Sequence, residues 1–203
     1  KQEVTAELQK SGILPTIDHV NLFLTWGEVE GIVCSGIDKG KKTTYALLDE
    51  RVPPTRELCR EEALARLASR YFQSHSPAQL QDFVWWSGLT ATECRLAINL
   101  IKAELMTETF DSREYFIHQS WKGKNESEPV LRLLPAFDEY LISYKNRTDV
   151  LPLEHHPKAF NRFGTFYPDI LYNGKKIGNW SRSIKKNTIQ IEMDYYSAQR
   201  KQN

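Results

Sequence analysis

The 203-residue chain is 40% hydrophobic and 26% charged, with a formal net charge of +1 at pH 7, so it can build a packed core in one large domain or two small ones. Its three cysteines, Cys34, Cys59 and Cys94, are far apart and form no CxxC, and their odd number argues against a disulfide framework and fits buried thiols in a reducing compartment. No apolar run approaches the roughly 20 residues of a membrane span, and no signal peptide is present, so a cytoplasmic protein with no membrane partner is expected.

In chain order, "ELQKSGILPTIDHVNLFLTWGEVEG" reads as a helix closed by Gly12, an N-cap at Thr16 and a second helix stopped by Gly31. Strand-like "IVCSG" and "TTYALLD" flank "IDKGKK", a basic loop of wing type. Residues 1–50 are therefore expected to form a partial winged-helix module whose first helix is missing. Lys1 is not an initiator Met and opens directly into helical text, so the chain is expected to be a fragment. The polar stripe of the second helix is Asp18, Asn21, Thr25 and Glu28. Its two acids repel phosphate, so packing against another module, one missing from the N-terminal side, is expected in place of a grip on DNA. Residues 51–57 form the linker.

Residues 58–121 carry the clearest pattern. Leu64, Leu67, Ala68, Tyr71 and Phe72 recur at helical spacing, with Glu57, Glu61 and Glu62 at the start of that helix and Arg66 and Arg70 near its end. In "SPAQLQDFVWWSG", Ser76 is the expected N-cap, Pro77 the first helical residue, Gln79 the partner in a capping box and Gly88 the left-handed stop. "TATE", Thr90 to Glu93, is a second capping box, and it opens a helix expected to bury Leu96, Ala97, Leu100 and Ile101. "LMTETF" and "REYFIHQ" follow as a hairpin turning at Asp111-Ser112. Helix, helix, short turn, helix and hairpin is the order of a winged helix-turn-helix. "KSGI" around Gly12 weakly repeats "WSGL" around Gly88. On the third helix, Thr92, Arg95, Asn99 and Lys102 form one polar stripe. Arg and Asn are the residue types that contact guanine and adenine in the major groove. A solvated helix face gives the same spacing.

The remainder, residues 130–203, reads as a β-rich region packed on the winged helices, preceded by the polar loop "WKGKNESEP". "LLPAFDEYLISYKNR" begins as an apolar strand that breaks at Pro135 and then sets Asp138 beside Glu139. Either acid could serve as a general base. Neighbours on a strand face opposite ways, however, which favours an Asp138 that caps a turn and a Glu139 that pairs with Lys145 or Arg147. "VLPLEHHPKAFNRFG" reads as loop, and His155-His156 lacks a third ligand, so no metal is expected. "DILYNGKKIGNW" is a hairpin around a type I′ Asn173-Gly174 turn, "TIQIEMDY" a further strand and "SAQRKQN" a frayed helix end. From Lys158 to Lys186 there are seven basic residues and one acid, Asp169. Trp180 among Arg182, Lys185 and Lys186 suits a nucleic-acid surface, or equally an edge strand protected by charge. Of Trp85 and Trp86, one is expected in the core and the other facing a partner. Ser87 lies in no GxSxG elbow, and no phosphate-binding or dinucleotide fingerprint is present.

Together "EALARLASRYFQSHSPAQLQDFVWWSGL", "LLPAFDEYLISYKNR" and "YPDILYNGKKIGNWSR" resemble the bacterial AlkZ-like winged-helix DNA-binding family, in block order and over nearly the whole chain. The resemblance implies an α+β fold of tandem winged helix-turn-helix modules with additional β-hairpins. It also implies a DNA glycosylase that releases alkylated bases and unhooks crosslinks without metal or organic cofactor. The family's catalytic Gln-x-Gln or Gln-x-Asp motif belongs to an N-terminal module. "IQIE" at 189–192 is not that motif, so no catalytic residue is carried over and the catalytic motif is expected upstream of this chain. The expected partner is double-stranded DNA, bound by a monomer through Thr92, Arg95, Asn99, Lys102, Lys145, Arg147, Lys175, Lys176, Trp180, Arg182, Lys185 and Lys186. A non-enzymatic transcriptional regulator and a winged-helix protein-interaction module remain alternatives at this point.

Overall fold

The structure is a computed structural model that describes residues 1–123 and 128–196. The end of the chain and part of the loop after Trp121 therefore lie outside the described residues. The chain divides into two compact units, Lys1–Glu57 and Leu58–Asn203.

The first unit contains α1 (Gln2–Lys10), α2 (Ile17–Val29), a two-stranded antiparallel sheet of β1 (Val33–Ser35) and β2 (Tyr45–Leu47), and the single turn α3 (Leu48–Arg51). Local chemistry sets its helix ends. Beyond α1, Gly12 takes φ +79°, and the Ile13 N–H reaches back to the Leu8 carbonyl at 2.9 Å. Beyond α2, Gly31 takes φ +69°, and Ile32 N–H reaches Gly27 at 2.8 Å. Both are left-handed stops that satisfy orphan carbonyls. Thr16 caps α2, its hydroxyl accepting the His19 N–H at 3.3 Å. Of the apolar side chains described in this unit, only Val20 and Leu24 are buried, while Leu14, Leu22, Trp26 and Val29 stand well exposed.

The second unit opens with α4 (Arg60–His75), α5 (Leu80–Ser87) and α6 (Ala91–Leu100), followed by an antiparallel hairpin of β3 (Leu105–Phe110) and β4 (Arg113–His118). Helical spacing brings Leu64, Ala68, Tyr71 and Phe72 of α4 onto Phe83 of α5 and Cys94 and Ala97 of α6. These side chains form the main core, and Phe116 of β4 packs at its edge. Asp111 and Ser112 turn the hairpin with φ of +48° and +59°, as a type I′ turn requires. After it come β5 (Leu131–Leu134), α7 (Glu139–Ile142), α8 (His156–Ala159), β6 (Asp169–Tyr172), β7 (Lys175–Lys185) and β8 (Thr188–Tyr195). The four strands form one antiparallel sheet in the order β5-β6-β7-β8. Asn173 and Gly174 make the β6–β7 turn, both at positive φ. The chain is thus an α+β protein. Among the described residues, no helix is long and apolar enough to cross a membrane.

Four local expectations need correction. Helix α4 starts at Arg60, which leaves Glu57 outside it. Ser76 does not cap α5, because its hydroxyl donates to the Phe72 carbonyl and accepts the His118 N–H at 2.8 Å. Ala78 is drawn into a backbone bridge with Phe116, so the helix begins only at Leu80, where Asp82 accepts the Gln79 N–H at 2.9 Å. Leu96 and Leu100 are 40% and 41% exposed, and the inner face of α6 is instead Cys94, Ala97 and Ile101, with Ile98 half-buried. The segment 153–159 is not wholly loop, since it contains a 3₁₀ turn (Leu153–His155) and α8.

Candidate nucleic-acid interface

Helix α6 presents a polar stripe. Its start is a reciprocal box: the Thr90 hydroxyl accepts Glu93 N–H at 3.2 Å, and the Glu93 carboxylate accepts Thr90 N–H at 3.0 Å. Arg60 of α4 adds an ion pair to Glu93. These bonds, the Thr90 N–H first among them, hold the Glu93 carboxyl down at about 2. A folded pKa below the unfolded value means that this contribution is present above the ordinary carboxylate range and is lost as pH falls through about 2. Thr90→Ala is expected to cost about 1 kcal/mol, measured as the shift in the urea unfolding midpoint.

The cap orients Thr92, Arg95 and Asn99, all exposed, along one side of α6. Lys102 is also exposed but lies just past the helix, in the 3₁₀ turn Lys102–Glu104. Arg95, Asn99 and Lys102 line a groove of about 410 Å³ with Thr107 and Glu114 of the hairpin, on a floor that includes Ile98 and Phe116. The stripe is therefore a real surface feature, and Glu114 is a carboxylate within it that the spacing alone did not reveal.

The segment Leu133–Arg147 has a different role from an acid/base site. Asp138 caps α7, accepting the Tyr140 N–H at 2.9 Å. Glu139 accepts the indole N–H of Trp86 at 3.2 Å and the Ser143 hydroxyl, and it lies 3.8 Å from His75. Its partners are thus not Lys145 or Arg147. The Trp85 indole donates to the Ile142 carbonyl at 2.9 Å, the Tyr144 hydroxyl donates to the His75 carbonyl at 3.0 Å, and the Lys145 N–H donates to Asp82 at 2.9 Å. The two motif-bearing stretches, Tyr71–Gly88 and Leu133–Arg147, therefore form one clasp. Trp86 packs against the core, while Trp85, 53% exposed, lies under the Arg147 guanidinium. The Tyr71 hydroxyl is buried in this clasp without a partner among the described residues, and burial pushes its pKa well up.

Arg147 is a correction. Its guanidinium donates to the carbonyls of Leu141, Ile142 and Lys145 and stacks over Trp85 and Phe166 at 5.5 and 5.3 Å. Burial lowers its pKa from the ordinary arginine value. It braces the chain and has little left for phosphate. Lys145 uses only its backbone in the clasp, and its side chain stays exposed.

In the basic segment, Lys175, Arg182, Lys185 and Lys186 are exposed, but Lys176 is 2% exposed and ion-paired with buried Asp169. Lys176 is thus no DNA contact. Trp180 is half-buried, and its indole donates to the Leu134 carbonyl at 2.7 Å, which ties β7 to the end of β5 and removes it as a free stacking platform. Beyond Asn179, the strand register of β7 is with β8 alone, as a two-stranded arm. Alternation places Arg182 and Ile184 on one face of the arm with Ile189, Ile191 and Met193, and Lys185 on the other, with Gln190 and Glu192 of "IQIE". The exposed apolar face of this arm was legible in the alternation of "TIQIEM". His155 lies against Tyr196 and His156 against Phe160, and no group of three metal-ligating side chains occurs among the described residues.

The model of the family described as "DNA glycosylase AlkZ-like" matches residues 2–202. A curated relative, the interstrand DNA cross-link repair glycosylase of Streptomyces sahachiroi, is 25% identical over 170 residues, which cover 76% of this chain and 46% of that protein. The solved structure of Streptomyces sahachiroi DNA glycosylase AlkZ has the same fold, with a TM-score of 0.68 at 20% identity over 97% of this chain and 61% of that one. The chain thus spans about half the length of the curated relative. The match to the family model runs through the clasp, the α6 stripe and the four-stranded sheet, and the chain belongs to the AlkZ-like DNA glycosylase family.

Proposed function

We propose that this chain is the DNA-gripping portion of a DNA-repair glycosylase that acts on alkylated or crosslinked bases, with the catalytic motif supplied outside it. The observation that carries the reading is the capped α6, whose exposed Arg95, Asn99 and Lys102 line a groove beside an antiparallel hairpin. Helices α4, α5 and α6, the hairpin β3–β4 and the bridge of Ala78 onto Phe116 have the connectivity of a winged helix-turn-helix, with α6 as its recognition helix. The arm adds Arg182, Lys185 and Lys186, and Lys145 and Lys175 complete the set of exposed cations offered to phosphate.

The first unit fits a different task. Asp18 and Glu28 keep α2 from phosphate, and its exposed Leu22, Trp26 and Val29 form the surface that a further protein module would cover. That observation also supports the second reading, in which these modules bind protein.

The test is the anisotropy of a labelled random duplex titrated with the chain at about 50 and 200 mM salt, a range over which phosphate-driven binding weakens steeply. Salt-sensitive binding is expected. Arg95→Ala and Lys102→Ala should each weaken it several-fold and lower the salt slope by about one. An absence of binding at low salt, or binding indifferent to both substitutions, would overturn the reading in favour of a protein partner.

A further inference from the structure

One cleft in the second unit has no role in the reading above. It encloses about 380 Å³ between the α4–α5 connection, β4 and the segment after α7, with walls that include Pro77, Tyr115, Tyr140 and Tyr144. That volume falls within the roughly 300–1,000 Å³ typical of small-molecule sites. Its charged side chains already have partners. Asp82 accepts two backbone N–H groups, Asp149 faces Arg113 at 3.3 and 3.4 Å, and Arg147 donates to main-chain carbonyls. A charged ligand would find no free counter-charge there and would lose its hydration. A planar neutral ring would stack on the phenol rings.

Three polar groups of the lining have no hydrogen-bond partner among the described residues: the amide nitrogens of Asn146 and Gln79 and the Tyr115 hydroxyl. The Asn146 carbonyl oxygen accepts the Thr148 N–H at 3.0 Å and the Thr148 hydroxyl at 2.7 Å, which fixes the amide and leaves its NH₂ group as the free donor. Strand alternation sets Tyr115 on the face of β4 opposite Glu114 and Phe116. The cleft and the α6 groove therefore lie on opposite faces of the hairpin and are separate sites.

We propose that this cleft binds a nucleobase ring, either free or unpaired within a nucleic-acid strand. Asn146 and Tyr115 read its polar edge, and the tyrosine rings cover its face. The choice of a nucleobase over another planar ring rests on the DNA reading above, whereas the shape of the cleft and the pairing of its charges stand without it.

The test has two arms, each with the full chain, Asn146→Ala and Tyr115→Phe, the last keeping the ring and removing only the hydroxyl. Calorimetric titration with adenosine reads a free base. Anisotropy with a duplex carrying one bulged adenine, against the same duplex without the bulge, reads an unpaired base. Adenosine binding weakened roughly tenfold by either substitution, the scale of one hydrogen bond, assigns the cleft to free bases. A preference for the bulged duplex that both substitutions abolish, with flush-duplex binding intact, assigns it to unpaired bases. Neither adenosine binding nor a bulge preference would overturn the proposal, as would binding that both substitutions leave unchanged. Failure to bind the flush duplex overturns only the DNA reading, because the adenosine arm still decides the cleft.

Discussion

Replacing Lys176 with alanine is expected to lower the unfolding free energy of the second unit by about 3–5 kcal/mol, the cost of removing one partner of a buried ion pair. The measurement is the urea midpoint at constant slope. The Lys176 side chain is fully enclosed, and that of Asp169 is only 3% exposed. Burial pushes Asp169 up and Lys176 down, while the hydrogen bond between them opposes both shifts. Taking away the amine leaves Asp169 with the burial alone, so its folded pKa rises further above the unfolded value. A folded chain that holds the proton more tightly regains stability as pH falls. The deficit of Lys176→Ala should therefore be largest at neutral pH and shrink as pH falls through the raised Asp169 value toward the ordinary carboxylate range. A deficit that deepens with acid would contradict the buried pair.

The double variant Asp169→Leu with Lys176→Met is the control. Replacing both charges by apolar side chains of similar volume is often neutral or stabilising, so it should stay within about 1 kcal/mol of the parent chain. If that stable double variant showed a shallower salt slope on duplex DNA, Lys176 would return to the list of phosphate contacts. The structure predicts no change, because the ammonium faces Asp169 inside the sheet.

The buried pair shows where sequence reasoning stops. The turn at Asn173-Gly174 is local chemistry, since both residues must take positive φ, and it is readable from two letters. The same holds for the stops at Gly12, Gly31 and Gly88 and for the Thr90 box. Once the turn is placed, its register sets Leu171 against Lys176, and alternation puts Asp169 on that same face. The lone acid in a basic run was therefore a signal that one cation is internal. The Ser76 cap failed for a non-local reason: its hydroxyl is taken by His118, 42 residues away. Arg147 failed likewise, because the carbonyls and rings it serves come together only when the clasp closes. The α6 stripe was legible because a helix face depends on spacing alone. The carboxylate of Glu114 beside it was not, because it arrives from the hairpin.

Asp82→Ala is expected to cost about 2–4 kcal/mol, since each buried donor left without an acceptor costs roughly 1–3 kcal/mol and a lost cap is worth about 1. Asp82 is 4% exposed. One of its oxygens accepts the Gln79 N–H at the start of α5, and the other accepts the Lys145 N–H from the far side of the clasp, both at 2.9 Å. A single carboxylate thus starts a helix and ties it to a segment 63 residues away. Asp82→Asn keeps an acceptor for one N–H but presents an NH₂ to the other, so it should fall between the parent and the alanine variant. Glu139→Gln is the contrast. Its carboxylate side chain is 64% exposed, and the amide oxygen of Gln can keep accepting from Trp86 and Ser143, which both use one oxygen of Glu139, so a loss under about 1 kcal/mol is expected. Urea unfolding of the three variants ranks the acids of the clasp. If Glu139→Gln proved as costly as Asp82→Ala, the clasp would depend on Glu139, and the pair Asp138-Glu139 would have to be reconsidered as more than a cap and a surface contact.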